Sequence, residues 1–202
     1  VSAETTPGRR VRADAQRSRD ALRQAAREVF ATSGVHAPVR EIAERAGVGL
    51  GTVYRHFPQR SDLVTAVFRH EVDACAEAAE QLAAAHPPVE ALTRWLDRYI
   101  DFIATKRGLA AALHSGDPAF TSLPAYFDEH LRPALSTLLS AAAATGEVRG
   151  DVDPGDLLRA VANLSLPAEE DPAHTRRMVA LLIDGLRHGA AHGHGAGSPA
   201  AR

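Results

Sequence analysis

Cysteine is almost missing from this chain of 202 residues: Cys75 stands alone. A single thiol closes no intramolecular bridge, so no disulfide framework holds the fold, as suits a reducing cytoplasm. Lysine is nearly missing too, with Lys106 the one example, so basic charge rests on arginine. Aromatic residues make up only 5% of the chain. With alanine, leucine and arginine dominant, that scarcity favours helix over sheet. No segment alternates apolar and polar residues with period two, so no sheet is expected. No apolar run approaches the ~18 residues of a membrane-spanning helix. The amino-terminal arginines are not followed by an apolar region, so neither a membrane span nor a secretory signal is expected.

Catalytic signatures are missing as well. There is no glycine-rich phosphate loop, no serine elbow and no carboxylate pair at a telling spacing. No catalytic residue and no cofactor is therefore expected, and Cys75, in an alanine-rich stretch, reads as packed rather than nucleophilic. His188, His192 and His194 fall in a glycine-rich tail, and His70 precedes Cys75 by five residues. That spacing fits neither an i, i+4 helical pair nor a zinc knuckle, so no metal ligand is assigned. Metal sensing stays an alternative.

What the chain does have is an uneven charge. The net charge is −2, but residues 1–60 hold eleven arginines against six acids, and residues 61–202 hold twelve basic residues against nineteen acids. A basic end on an acidic body is the pattern of a nucleic-acid-binding domain joined to one that does not bind nucleic acid.

Inside the basic end lies Val39 to Phe57, VREIAERAGVGLGTVYRHF. It reads as a helix, a glycine turn and a second short helix. Ala43 is small enough for two steeply crossing helices to touch, and Gly47 supplies the positive φ of the turn. Val53 points the second helix back to the core. Thr52, Tyr54, Arg55 and His56 are then left mostly outside, as donors for a DNA major groove. An ordinary helical hairpin is the competing reading of this stretch alone.

The flanks decide between the two. An amphipathic helix ends at Phe30 and Gly34, then come REIAERAGV, GTVYRHFP, Arg60 and DLVTAVF. Over roughly residues 14–70 the chain resembles the tetracycline-repressor (TetR) family of bacterial transcription regulators. The rest matches only in length and helical character. Two positions depart from the family pattern. Ala37, Pro38 and Val39 stand where a threonine is common, and Gly49 where a serine often precedes the third helix.

The resemblance implies that the third helix enters the major groove of double-stranded DNA. It places Tyr54, His56 and Arg60 at positions that usually hold phosphates, and Arg40, Gly51, Thr52 and Tyr54 at positions of base reading or close approach. The chemistry of the residues agrees. Arg40 suits guanine through two hydrogen bonds, and Thr52 offers a methyl and a hydroxyl. Gly51 lets backbone come close. Arg60 stands beside the free N–H groups that start a fourth helix. Arg55 reads as a base or phosphate contact, and Arg17 and Arg19 as either backbone contacts or a solvated face.

The expected architecture is all-α, with about nine helices. A disordered basic arm (1–13) precedes a helix-turn-helix domain (14–58), a helical body (59–188) and a disordered tail (189–202). The first helix runs from about Asp14 to Ser33 with Leu22, Ala25, Ala26, Val29 and Phe30 on its apolar face. The fourth starts near Pro58, and Pro133 is expected to kink the seventh.

For the body, the resemblance implies a homodimer built on the last two helices and a pocket for an unidentified small-molecule effector. The stripes Leu157, Val161, Leu164 and Val179, Leu182, Ile183, Leu186 are the candidate dimer face. Trp95, Tyr99, Phe102, His114, Phe120, Tyr126, Phe127 and His130 are the candidate pocket lining. The expected function is a cytoplasmic repressor that leaves a palindromic operator when its effector binds. A constitutive repressor without effector is the other alternative.

Overall fold

The computed structural model describes residues 7–165 and 172–192. Every regular element among the described residues is helical. The order is α1 (Pro7–Ser33), α2 (Val39–Arg45), α3 (Leu50–His56), α4 (Arg60–Ala85), α5 (Pro88–Gly108) and α6 (Ala110–Leu113). A 3₁₀ turn (Pro118–Phe120) follows, then α7 (Leu123–Ala144), α8 (Pro154–Leu164) and α9 (Pro172–His192). The all-α expectation and its count of nine helices hold among the described residues.

Several ends differ from the sequence reading. α1 begins at Pro7, so residues 7–13 of the expected arm are helical. Proline is tolerated in a first turn, and the arginine- and alanine-rich run after it favours helix. The rest of that arm, residues 1–6, lies outside the described residues, as do 193–202 of the expected tail. α4 begins at Arg60 rather than Pro58, and the Gln59 N–H donates to the Asp62 carboxylate at 2.9 Å to fix that start. α7 runs through Pro133 without ending there. The 3₁₀ turn starts at Pro118, two residues after Gly116 with its φ of +78°. The Asp117 carboxylate accepts the Ala119 N–H at 2.9 Å and closes it.

The described residues group into two compact units. Those up to His70 go with Thr105–Leu123, and Glu71–Ala104 go with those from Pro124 on. The sequence reading drew one boundary at 58/59 and did not foresee that residues 105–123 join the amino-terminal unit. The core of that unit is the expected face of α1 together with Ile42, Ala43, Val53, Leu63, Val64, Val67, Phe68, Leu109 and Phe120. The Arg69 guanidinium donates to the Ser122 hydroxyl at 3.4 Å within it.

The second unit is built around Trp95, Leu96, Tyr99, Leu131, Leu135, Leu138, Leu158 and Val161, all buried. The Trp95 indole N–H donates to the Cys75 carbonyl at 2.8 Å, and the Tyr99 hydroxyl donates to the Leu158 carbonyl at 3.2 Å. Those two bonds satisfy the only polar ends of two large buried rings. Burial pushes the Cys75 thiol up to about 12, so it stays protonated at neutral pH. It is packed, as its surroundings in the sequence suggested. Asp153 caps α8 by accepting the Asp156 N–H at 2.9 Å.

Candidate nucleic-acid interface

The hairpin of α2 and α3 is closed by backbone geometry. Gly47 has φ +67°. The Val48 N–H donates to the Ala43 carbonyl at 3.0 Å and the Gly47 N–H to the Glu44 carbonyl at 3.1 Å. That pair of bonds satisfies the last carbonyls of α2 and needs a left-handed residue at its centre. A side chain at Gly47 has open space but a strained backbone. Gly49 occupies the cap of α3, where its carbonyl accepts the Thr52 N–H at 2.8 Å. Pro38 precedes α2 and, like Gly49, offers no side-chain cap. The positions that lack the usual hydroxyl residues therefore hold the helix starts through backbone alone.

α3 turns Val53 into the core, with the following Phe57 buried as well. Its other residues divide by helical angle. Leu50 and Tyr54 form one edge, Gly51 and Arg55 the middle, and Thr52 and His56 the far edge. Leu50, Gly51, Tyr54 and Arg55 are exposed, and Thr52 and His56 are half-buried. The His56 ring leans on Phe57 with centroids 6.4 Å apart. A Cβ placed on Gly51 would meet nothing within 4 Å. Neither space nor backbone conformation within the chain requires this glycine. Arg40 is exposed in the first turn of α2. On the flank of the hairpin, Arg45 pairs with Glu28 at 3.1 Å. Gln24 and Arg45 together hold the Glu28 carboxyl below its usual value. Arg17 pairs with Asp14, and Arg19 is exposed.

Arg60 is half-buried at the first residue of α4. Its guanidinium donates through Nη1 to the Val35 carbonyl and through Nη2 to the Ala37 carbonyl at 2.8 Å. Both carbonyls belong to the connector between α1 and α2. The fork thus ties α4 to that connector. Arg60 also lines a cavity of about 320 Å³ with His36, Gln59, Ser61, Asp117 and Phe120, all in the amino-terminal unit.

A buried hairpin axis with an exposed, bare-centred second helix is the form of a DNA reader, and comparison with known proteins agrees. Residues 22–67 match the family described as bacterial regulatory proteins, tetR family, and residues 87–188 match a transcriptional regulator SbtR-like C-terminal domain. The chain belongs to the TetR family of transcriptional regulators. A TetR transcriptional regulator of Streptomyces coelicolor is 38% identical with a TM-score of 0.74, over 84% of this chain and 98% of that one. A TetR regulator of Mycobacterium vanbaalenii is 36% identical with a TM-score of 0.70, over 88% and 99%. An HTH-type transcriptional regulator of Staphylococcus aureus is 28% identical over 109 residues, 53% of this chain. The match spans 59% of that curated relative's length.

For a TetR-family chain, the other sequence-assigned residues sort by unit. Trp95 stacks on Tyr99 with centroids 5.7 Å apart, and Tyr99, Phe102 and Phe127 form a triangle with sides of 6.0, 5.9 and 6.2 Å. Trp95, Tyr99 and Phe102 are buried and Phe127 is half-buried. Tyr126 and His130 stack at 4.0 Å. The Tyr126 hydroxyl donates to Asp73 at 2.6 Å, and His130 Nε2 lies 4.0 Å from the same carboxylate. Asp73 was not singled out in the sequence, since nothing in its neighbourhood marks it. His114 and Phe120 belong to the amino-terminal unit.

The proposed dimer stripes are mostly used inside the chain. Leu157, Val161, Val179, Ile183 and Leu186 are buried, and Leu164 and Leu182 are half-buried. Among the described residues, the one large apolar side chain of α9 that stands clear is Leu181, 62% exposed. A periodic stripe marks the face that packs, and here the packing partner is the chain itself. Among the described residues no three His, Cys, Asp or Glu side chains converge as metal ligands, and no helix is long and apolar enough to cross a membrane.

Proposed function

We propose that this regulator is a repressor that binds a palindromic operator as a homodimer in the cytoplasm and is released by a small molecule bound in the second unit. The observation that carries it is the outer face of α3, with Gly51 bare, Tyr54 and Arg55 exposed, and Arg40 exposed on α2. A two-fold dimer would present this face twice, about 34–36 Å apart, to successive turns of one major groove. That spacing is why the operator would be palindromic. The reading includes no catalytic step.

Arg40 would read a base and the remaining contacts would fix register. Arg40→Ala is expected to lower affinity for the operator by about 5- to 100-fold and to leave affinity for scrambled duplex within about twofold. Titration of both duplexes across several salt concentrations checks this. An equal loss on both would remove Arg40 from base reading.

The dimer would form on the side of α9 that the chain leaves uncovered, with Leu181 at its centre and half-buried Leu164 and Leu182 beside it. Leu181→Glu would bury a charge across a two-fold axis. It is expected to convert a sedimenting dimer to monomer at micromolar concentration without changing the helical content. A dimer that survives the substitution would move the interface elsewhere.

The effector would approach the half-buried side of the aromatic cluster, where Phe127, Tyr126, His130 and Asp73 offer an apolar wall and polar groups together. It shifts the equilibrium only if it favours the arrangement that does not bind DNA.

A further inference from the structure

The described residues leave three large apolar side chains exposed, and two of them lie on the seven-residue helix α3. Leu50 is 41% and Tyr54 50% exposed. Four residues apart, they share one edge of the helix. A single exposed leucine needs no explanation. Two exposed apolar groups on one edge of the helix offered to DNA do. α3 already reaches the core through Val53, so this edge is not what anchors it. Gly49 and Gly51 flank Leu50, and a Cβ on either meets nothing within 4 Å. Leu50 therefore projects between two bare positions that the fold itself does not require to be bare.

We propose that Leu50 is a specificity residue that reads the C5-methyl group of thymine in the major groove, an inference that rests on the DNA-binding reading above. Leucine has no donor or acceptor. In the major groove guanine, cytosine and adenine present hydrogen-bonding edges, and thymine alone adds a methyl group. Pressing leucine against the other edges strips water from polar atoms and returns nothing. Pressing it against the thymine methyl removes two apolar surfaces from water at once. The bare positions at Gly49 and Gly51 let the helix approach closely enough for a side chain as short as leucine to make that contact. Arg40 and Arg55, both exposed, supply the cationic surroundings that hold the duplex.

The test begins by selecting a duplex from a random pool with the whole chain. Each thymine of the selected site is then replaced singly by deoxyuridine, which removes the methyl group and nothing else. The unaltered chain is expected to lose about three- to fivefold in affinity at one or two thymine positions. Leu50→Ala is expected to bind the thymine and deoxyuridine forms of those positions equally. Leu50→Gln is expected to select a different base there. Indifference of the unaltered chain to every deoxyuridine overturns the proposal, and that scan does not depend on any variant folding. Undiminished methyl dependence in Leu50→Ala overturns it too. If the pool yields no enriched sequence, the DNA-binding reading fails and this inference with it. An enriched sequence without methyl dependence overturns the inference alone.

Discussion

Trp95→Ala is expected to destabilise the second unit by about 3–5 kcal/mol, a large share of the roughly 5–15 kcal/mol that holds a typical domain. Trp95 is completely buried. Its ring stacks on Tyr99 at 5.7 Å with 5° between planes, and its N–H donates to the Cys75 carbonyl. Alanine would remove the ring contacts and that hydrogen bond and leave a cavity. Trp95→Phe keeps most of the volume and loses the hydrogen bond, so it should cost clearly less. Urea unfolding followed by helical signal measures both.

The Cys75 thiol gives an independent readout. Burial raises it from 9.0 to about 12, so the native state holds a neutral thiol where an unfolded chain begins to ionise. Its contribution to stability is thus fully present below about 9 and is lost as pH rises towards about 12. At mildly alkaline pH a thiol reagent should reach Cys75 only through opening of the unit. Trp95→Ala should speed labelling in proportion to its loss of stability. A loss below about 1 kcal/mol with unchanged labelling would show that the ring is dispensable packing.

Much of this molecule is written in local pattern. The apolar face of α1, the positive φ at Gly47 and the inward Val53 all follow from spacing and residue type, and each stands where the sequence put it. The reading was weaker wherever a residue's role depends on a distant partner. The stripe Val179, Ile183, Leu186 reads the same whether it packs on its own chain or on a second one. Only the fold shows that its own chain covers it. Residues 105–123 join the amino-terminal unit through contacts such as Arg69 to Ser122, which no periodicity announces. Asp73 becomes a partner of Tyr126 from 53 positions away. Leu50 was passed over for a related reason. A search for donors discards an apolar side chain, although a thymine methyl has use for one.

Arg60→Ala is expected to weaken operator binding by about 10- to 100-fold, with the salt dependence of binding unchanged. The expected size follows from two charge-assisted hydrogen bonds, each worth about 1.5–3 kcal/mol, of which part is recovered by water. The two bonds run from the first residue of α4 to the carbonyls of Val35 and Ala37. Ala37 stands two residues before α2 begins, and Arg40 lies in the first turn of that helix. Releasing the carbonyls would free the connector that leads into Arg40, so on the proposed role of Arg40 base reading would suffer without the loss of a phosphate contact.

A phosphate-binding Arg60 predicts something else. Its loss would lower the slope of log affinity against log salt by about one unit, and lysine would restore the charge and the slope. The fork explanation predicts that Arg60→Lys fails to rescue, because an ammonium cannot span two carbonyls in a fixed plane. Titrating unaltered, Arg60→Ala and Arg60→Lys proteins over a salt series, with their melting points in parallel, separates the two. A slope reduced by one in Arg60→Ala and restored in Arg60→Lys would return Arg60 to the phosphate backbone. An unchanged slope with no rescue makes it the tie through which the start of α4 holds the reading head in register.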